Sequence, residues 1–191
     1  MQRLGFNIVL LGMVASGKDT QANILTKKYA LKFVETGVYT RKLLKEKSAN
    51  GEWARRTAGK GQPLPTKLLQ EFLIKEIKKK PKNKDLLFLG GRLKPEAQLL
   101  VKIMKEKKEK LLAFYIDLPK KEVYKRSELR MRNIDDAKYI EKRIKWHKDQ
   151  VGKTVKYYQK LGIMNIIDGN QPISKVTKDI LKAISKFQKA N

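Results

Sequence analysis

A glycine-rich loop follows the first apolar run of this chain and constrains the fold more than any other feature. Residues 6–11 form a short, largely apolar run of the kind found in buried strands. Gly12, four further residues and then Gly17-Lys18 come next, and the sequence TQANILTKKYA after them has helical spacing. Such a strand, loop and helix surround an anion with backbone N–H groups and a helix N-terminus. The segment therefore predicts a phosphate-binding loop, to which Lys18 adds a mobile positive charge.

The residue after the loop lysine is unusual for this motif. Asp19 stands where such loops carry Ser or Thr, so a carboxylate lies beside the expected phosphate. It can face a metal ion that accompanies the phosphate, because a cation reverses the local sign of the charge. It can also turn outward at the helix N-terminus, where a carboxylate is stabilised by roughly 0.3–1 kcal/mol. The sequence leaves both interpretations open.

Apolar runs alternate with helical segments along most of the chain. The runs occupy residues 6–11, 32–35, 85–89, 111–117 and 163–168. This alternation predicts an α/β fold with a five-stranded parallel sheet and helices on both faces, formed by 1–191 as a single domain. We expect the loops at the carboxyl ends of the strands to build the functional site.

Two regions interrupt the alternation. Residues 36–80 contain no clear strand and are expected to be helical, with hinges at glycines. Residues 135–161 are expected to form a long helix with this apolar stripe: Ile140, Ile144, His147, Val151, Val155 and Tyr158. His147 is the only histidine, and its place on the stripe predicts a structural role and not a catalytic one. Trp53 and Trp146 are expected to pack in the core.

The balance of charge limits the classes of partner. Lys plus Arg number 45 against 19 Asp plus Glu, a formal net charge of +26. Such a charge indicates nucleic-acid binding, attraction of phosphorylated ligands or a lysine-rich background. Lysines occur in every segment, as on a solvated surface, whereas four of the nine arginines lie between positions 126 and 143. Clustered guanidinium groups favour recognition of phosphate.

The cysteine count and the hydropathy pattern limit the cellular compartments in which the protein is expected. The sequence contains no cysteine, which excludes disulfides and thiolate metal sites and favours a reducing cytoplasm. No apolar stretch approaches the length of a membrane span, so a membrane partner is not expected.

Taken in order, the motifs of this chain resemble those of adenylate kinases. The segments that carry the resemblance are GMVASGKDTQA, similar to G-x-x-G-x-G-K-G-T-Q; ETGVYTRKLL, similar to T-G-x-x-x-R; GQPLP, similar to G-x-L-V-P; and LGGRLKPEAQ, similar to D-G-F-P-R-T-x-x-Q. YKRSELRMR and YIEKRI resemble the arginine-bearing helices of the family, and YYQKLGIMNIIDGNQPISKV resembles its last strand and the loop after it. The resemblance implies a P-loop NTPase-type nucleoside monophosphate kinase fold. It also implies reversible transfer of the terminal phosphoryl group of ATP to AMP, with Mg²⁺ and without zinc.

The resemblance implies roles for individual residues. The catalytic residues would be Lys18, Arg126, Arg132 and Arg143. The ATP site would comprise Gly12, Ala15, Ser16, Gly17, Lys18, Asp19, Thr20, Arg126, Arg130 and Gln171. The AMP site would comprise Thr36, Gly37, Arg41, Gln62, Pro63, Leu64, Gly91, Lys94, Gln98, Arg132 and Arg143. A cluster of cations suits phosphoryl transfer, which depends mainly on positioning and charge neutralisation.

The resemblance also implies moving parts. Residues 36–64 would be a mobile AMP-binding subdomain, and residues 127–135 a minimal lid, since only Met131 separates Arg130 from Arg132. Asp135 and Asp136 either cap the long helix or orient magnesium-bound water.

The chain departs from the family motifs at these positions: Ala15, Asp19, Val38, Gly90 and Lys94. Val38 and Gly90 stand where the family has acids near the metal. Lys94 keeps the charge of the family's arginine but loses its bidentate fork, and Arg92 is an alternative contact for the acceptor phosphate.

Two other functions remain open. The first is a kinase for UMP, CMP or another monophosphate, although Thr36 and Gln98 favour adenine because glutamine can both donate and accept at its edge. The second is a basic RNA-associated protein with a residual nucleotide site, which the net charge and the substitutions at Val38 and Gly90 favour. A monomer that binds ATP and AMP in the cytoplasm is the principal expectation.

Overall fold

A computed structural model describes residues 1–60, 62–129 and 137–190, with only the backbone described for 128, 129, 137–140, 142 and 143. One parallel sheet with the order β2-β3-β1-β4-β5 forms its centre. The strands are β1 (Phe6–Gly12), β2 (Leu31–Glu35), β3 (Asp85–Leu89), β4 (Lys110–Asp117) and β5 (Met164–Asp168). All five predicted strands are confirmed, and their ends agree within one residue, because strands buried on both faces read as continuous apolar runs.

Eight α-helices surround this sheet in the described part of the chain. They are α1 (Lys18–Lys28), α2 (Thr36–Lys45), α3 (Ala49–Thr57), α4 (Thr66–Lys78), α5 (Lys94–Glu106), α6 (Lys120–Leu129), α7 (Ala137–Lys160) and α8 (Ile173–Lys189). A short 3₁₀ turn, Ala58–Lys60, follows α3. Among the described residues, none of the helices combines the length and apolarity that crossing a membrane requires.

The sheet separates two apolar cores. On one face, side chains of β1 such as Ile8 and Leu10 pack with α1 and α8. On the other face, Val9 and Leu11 pack with α4, α5 and α7. Alternate residues of a strand lie on opposite faces, so each central strand contributes to both cores. The predicted arrangement of helices on both faces is confirmed.

The strand order directs attention to the carboxyl end of β1. From β1 the chain crosses to β2 at one edge, returns through β3 and then continues to β4 on the other side of β1. The direction of winding therefore changes around β1, and ligands of such sheets bind in the crevice at this switch point. The predicted phosphate-binding loop lies at this end of β1.

At the opposite end of the sheet, buried polar side chains form hydrogen bonds with the backbone. The carboxylate of Asp85 is 2% exposed and accepts hydrogen bonds from the backbone N–H groups of Leu4 (2.8 Å) and Gly5 (3.0 Å) and from the Arg3 guanidinium (2.7 Å). The Asn7 amide accepts from the Leu86 N–H (2.8 Å). These bonds fix the start of β3 against the N-terminal segment.

One expectation about aromatic burial is wrong. Trp53 lies on α3 with 43% of its surface exposed. Trp146 on α7 is half-buried, and the Arg92 guanidinium lies 5.1 Å from the centre of its ring. The sequence of α3 gives no sign of which helical face meets the rest of the protein.

We expect Asp85→Asn to lower the free energy of unfolding by about 2 kcal/mol, because the amide places N–H donors against the two backbone N–H groups and loses the charge that Arg3 meets. Urea unfolding followed by circular dichroism measures the change. Asp149→Asn, at an exposed position on α7, is the matched control and should change stability by less than about 0.5 kcal/mol. Equal effects of the two substitutions would contradict a stabilising role for the Asp85 network.

Candidate active site

The loop between β1 and α1 folds back closely on the sheet. A Cβ atom on Gly12 would lie 2.5 Å from the Ser16 hydroxyl oxygen and 3.0 Å from the carbonyl oxygen of Ile116 in β4. Only glycine fits between a side chain of the loop and the backbone of a neighbouring strand. Gly17 adopts the left-handed conformation (φ 84°) and is the N-cap of α1. The helix N-terminus is thereby aimed at the space inside the loop.

Ala15 holds the loop in a conformation that alanine rarely adopts. Its φ is 60° and its side chain is buried, with 3% exposure. A left-handed residue with a Cβ costs about 1–2 kcal/mol. The family glycine at this position has therefore been replaced without loss of the left-handed turn, and the strain is stored at the candidate site.

The loop contains a buried hydroxyl group that lacks a hydrogen-bond partner among the described residues. The backbone N–H of Ser16 donates to the Met13 carbonyl oxygen at 3.2 Å, but the Ser16 Oγ has no partner. Lys18 Nζ lies 3.4 Å from the same carbonyl, and its side chain is 25% exposed. An unsatisfied buried hydroxyl costs about 1–3 kcal/mol. A phosphate oxygen in the loop would offer the missing acceptor beside the lysine.

Asp19 lies in the first turn of α1 and contacts the loop lysine. Its Oδ2 is 3.7 Å from Lys18 Nζ, and its side chain is 54% exposed. A pair this exposed contributes little to stability. The next residue, Thr20, is half-buried on the same turn. The geometry is compatible with both sequence interpretations of Asp19, since an exposed carboxylate can meet a metal ion or solvent.

A buried glutamine that the sequence analysis overlooked connects α1 to α8. Gln21 is 2% exposed; its Nε2 donates to the carbonyl oxygen of Ile173 (3.2 Å), and its Oε1 accepts from the Thr177 hydroxyl (2.9 Å). Gln171 donates in turn to Asp179 at 2.7 Å. The loop that carries Gln171 is thus fixed relative to the phosphate-binding loop. The sequence could have indicated this contact, because Gln21 is a polar residue on the buried face of α1.

The start of α2 packs directly on the end of β3. The Thr36 hydroxyl donates to the carbonyl oxygen of Leu89 at 3.3 Å. A Cβ atom on Gly90 would lie 2.5 Å from Thr36 Cγ2 and 2.8 Å from its Oγ1. The glycine at 90, where the family has an acid, is therefore required by the contact with Thr36. Gly37 follows Thr36 at the same sheet edge.

Arg41 is held beside this edge by an ion pair. Its guanidinium donates to Glu35 Oε1 at 3.0 Å, and 63% of the arginine side chain is exposed. Surface pairs of this kind contribute about 0–1 kcal/mol. The contact orients Arg41 at the end of β2 without fixing it, so an anionic ligand can compete for the guanidinium.

Residues 62–64 lie on a small apolar cluster of their own. Leu64 is 3% exposed and packs in a cluster with Leu43, Ala54, Leu68, Leu69 and, at its edge, Tyr39, Leu44 and Ala58. The Gln62 N–H donates to the Thr57 carbonyl oxygen at 3.1 Å, and Pro63 is half-buried. This cluster is separate from the two cores that flank the sheet.

The segment after β3, residues 90–93, leads into α5 and is here called the acceptor loop. Gly91 is buried in it. Lys94 and Gln98 are both exposed, and their separation of four residues places them on one face of α5. The Arg92 carbonyl oxygen accepts from the Thr154 hydroxyl of α7 at 2.8 Å, while its guanidinium stacks on Trp146. The acceptor loop is therefore attached to α7 at two points.

The predicted arginine cluster is described only in part. Arg126 on α6 is 31% exposed, with its Nε 3.5 Å from Glu122. Arg130, Arg132, Asp135 and Asp136 lie outside the described residues, and Arg143 is described only as a backbone position on α7. Their predicted roles stay predictions.

His147 has the structural partner expected from its position. Its Nε2 lies 3.3 Å from the Tyr115 hydroxyl oxygen. Burial, with the charge of Asp117 in addition, raises the pKa of Tyr115 to about 12. The Tyr115 hydroxyl therefore keeps its proton at neutral pH and can share it with the imidazole.

The carboxylates near the loop bear on how a metal ion could bind. Among them, His, Cys, Asp and Glu side chains form no group of three that could hold a metal ion. Val38 and Gly90 carry no oxygen ligand in their side chains. Mg²⁺ keeps several waters and uses one or two carboxylates together with substrate phosphates. The exposed carboxylate of Asp19 beside the loop fits such a role.

Substitution of Gly12 tests whether the loop geometry is functional. We expect Gly12→Ala to lower kcat/KM for ATP at least about a hundredfold, or about 2.7 kcal/mol, because the added methyl group displaces Ser16 from the loop. Gly152→Ala is the matched control, since a Cβ atom there meets nothing within 4 Å and lies inside α7. It should leave kcat/KM unchanged and raise stability by about 0.5–1 kcal/mol. Steady-state kinetics that show no loss in Gly12→Ala would exclude the loop as the phosphate site.

Comparison with known proteins agrees with the strand, loop and helix described above. A family model described as adenylate kinase matches residues 10–163. The chain is 30% identical to the adenylate kinase of Methanothrix thermoacetophila in an alignment 215 residues long, with 95% of this chain and 100% of that protein covered. It is 29% identical to the adenylate kinase of Azobacteroides pseudotrichonymphae (95% and 98% covered) and 28% identical to that of Bacteroides fragilis (93% and 97% covered). The matches span the phosphate-binding loop, the acceptor loop and α7, and the chain belongs to the adenylate kinase family.

Proposed function

We propose that this protein transfers the terminal phosphoryl group of ATP reversibly to AMP, giving two ADP, at the carboxyl edge of the sheet. The observation that carries the proposal is the loop of residues 12–18, where close packing at Gly12 brings the buried Ser16 hydroxyl and the Lys18 ammonium to one helix N-terminus. Phosphoryl transfer requires positioning and charge neutralisation with little covalent chemistry. Family membership over nearly the whole length favours phosphoryl transfer over the alternative of a basic RNA-associated protein with a residual nucleotide site.

Donor and acceptor would occupy opposite sides of β1. On the donor side, the phosphate-binding loop and Arg126 would hold the ATP phosphates, with the loop around Gln171 beside the base. On the acceptor side, Thr36, Arg41 and Gln98 would hold AMP. Arg130, Arg132 and Arg143 would neutralise the phosphoryl group in transit, and Lys94 would take the place of the family arginine as a point charge.

Residues 36–64 would close over the acceptor as a subdomain. The apolar cluster around Leu64 supports this proposal, because residues 36–64 pack in it against Leu68 and Leu69 of α4, and this contact is distinct from the two cores of the sheet. Residues 127–135 would be the lid, which this chain keeps very short. Closure of both would exclude water, which would otherwise accept the phosphoryl group.

Magnesium would enter as the complex with ATP. Asp19 would accept hydrogen bonds from its bound water, and the Thr20 hydroxyl would lie on the same turn of α1. When bound, the ion would offset the charge of the phosphates. The absence of cysteine from the sequence supports activity in a reducing cytoplasm, and we propose a monomer.

The acceptor specificity tests the assignment most directly. We expect kcat/KM for AMP to exceed that for UMP or CMP at least tenfold, about 1.4 kcal/mol of transition-state discrimination, because Gln98 can pair with the edge of adenine. A coupled assay of ADP formation with AMP, dAMP, GMP, CMP and UMP as acceptors, with ATP and magnesium constant, measures the ratio. Preference for a pyrimidine would show a kinase of another monophosphate, and no transfer to any acceptor would overturn the proposal.

The role of Asp19 is tested by its dependence on magnesium. We expect Asp19→Asn to raise the magnesium concentration for half-maximal activity several-fold, with the KM for AMP unchanged, because the amide is a weaker acceptor for metal-bound water. Asp149→Asn serves as the control for loss of a distant carboxylate. An unaltered magnesium titration, together with a loss of stability of about 0.3–1 kcal/mol, would assign Asp19 to the helix N-terminus alone.

A further inference from the structure

A buried carboxyl group lies beneath the acceptor loop. Glu96 is in the first turn of α5 with 1% of its surface exposed, and neither carboxyl oxygen has a hydrogen-bond partner among the described residues. The hydroxyl of Tyr158, from α7, is also buried and lacks a partner there. A Cβ atom on Gly91 would lie 3.9 Å from that hydroxyl oxygen, so the tyrosine reaches the underside of the loop. An unpaired ionised carboxylate is costly in such a place, so burial favours the neutral form of the group.

The polar groups near Glu96 come from the acceptor loop, from α7 and from α4. Burial raises the pKa of Glu96 to about 7, and the charge of Arg92 acts against this shift because it favours the ionised form. From α7, burial and then the Glu96 carboxyl raise the pKa of Tyr158, so its hydroxyl stays neutral. From α4, the uncharged Gln70 donates to the Pro95 carbonyl oxygen at 3.3 Å. Arg92 is thus the cation, among the described residues, that opposes the proton on Glu96.

The same arginine is close in sequence to Lys94, which we propose as a cation for the acceptor phosphate. Arg92 and Lys94 flank Leu93, and Glu96 follows them within one helical turn. A dianionic phosphate beside these cations would offset the charge of Arg92 at Glu96. The neutral form of the carboxyl group would then be favoured further, since a nearby anion disfavours ionisation.

Resting on the proposed function, we propose that Glu96 is a positioning residue that carries a proton beneath the acceptor loop, and that binding of the AMP phosphate is linked to retention of that proton. In this step, protein with ionised Glu96 binds dianionic AMP and takes up one proton from solvent. The product is the AMP complex with neutral Glu96. With the proton lost, the carboxylate attracts the Arg92 guanidinium and competes with the phosphate for its charge. With the proton in place, this attraction is weaker and the phosphate is bound more tightly.

The linkage fixes the sign of the pH dependence. Retention of a proton on binding means that AMP affinity falls as pH rises through about 7. A rise of one pKa unit on binding corresponds to roughly a six-fold increase in Kd between pH 6.5 and 8.5. The second ionisation of a phosphate monoester is near pH 6, so AMP is mainly dianionic in this range. Stability of the unliganded protein has the same sign, because Glu96 binds its proton more tightly when folded, and this contribution is lost as pH rises from about 4.5 to about 7.

The Glu96→Gln substitution removes the ionisable group but keeps the shape of the site, since glutamine is similar in size and does not ionise. Isothermal titration calorimetry with AMP, in buffers of different ionisation enthalpy at pH 7.5, measures the protons taken up. We expect the unsubstituted protein to take up a fraction of a proton and the variant to take up none, with a Kd that no longer rises with pH. The KM for AMP should follow this pattern while the KM for ATP does not. Glu106→Gln, at an exposed position on the same helix, should behave as the unsubstituted protein does.

Equal proton uptake in the Glu96→Gln variant and the unsubstituted protein would overturn the proposal. So would a stability difference between the two, measured by urea unfolding from pH 5 to pH 8, that does not change with pH, because Glu96 would then hold no extra proton. Failure of AMP to bind to any of the proteins would refute the proposed function and the linkage with it. AMP binding without linked protons would refute the linkage alone.

Discussion

The close contact of the phosphate-binding loop with the sheet is the constraint on which the rest of the structure depends. At Gly12 the chain leaves β1 with no room for a side chain between Ser16 and the Ile116 carbonyl oxygen. The loop can approach the sheet this closely because β1 is central and has parallel neighbours on both sides. Both cores are needed to hold β1 in that place, so the apolar pattern that builds the sheet also positions the loop and the start of α1.

The two ends of the sheet differ in whether their buried polar groups have hydrogen-bond partners. At the amino end, Asp85 and Asn7 are buried and their hydrogen bonds are satisfied within the chain. The buried polar side chains without partners, among the described residues, are instead on the phosphate-binding loop, beneath the acceptor loop and on α6: Ser16, Glu96, Tyr158 and Ser127. Unsatisfied groups cost stability, and proteins keep them mainly where function requires them. The unsatisfied hydroxyl of Ser16 lies in the loop proposed to bind phosphate, whereas Asp85 and Asn7 of the amino end stabilise the fold.

Most of the fold could be predicted from the sequence because its signals are local. Each strand of a parallel sheet is a short apolar run, and the glycines and Lys18 of the loop follow β1 directly. Gly90 could not be explained in this way, since its requirement arises from Thr36, a residue distant in sequence that packs against it. The burial of Glu96 escaped sequence reasoning for a related reason: an acid in the first turn of a helix is ordinarily an exposed residue that favours the helix dipole. The exposure of Trp53 shows the same limit, because the cluster around Leu64 leaves one face of α3 uncovered.

The attachment of the acceptor loop to α7 determines what a closing motion can move. Thr154 and Trp146 hold Arg92 from the helix that also carries position 143, so the acceptor loop and that arginine belong to one body. The region proposed to close over AMP is attached differently. Tyr39 stacks on Phe72 of α4 with ring centres 4.3 Å apart, and the Arg41 guanidinium forms an exposed ion pair with Glu35. Closure would then bring Arg41 toward a fixed acceptor loop, and the phosphate would meet one mobile guanidinium and the stationary cations of residues 92 and 94. Since the charge of Arg92 acts on Glu96, the proton there would respond to the phosphate at the same step in which Arg41 is captured.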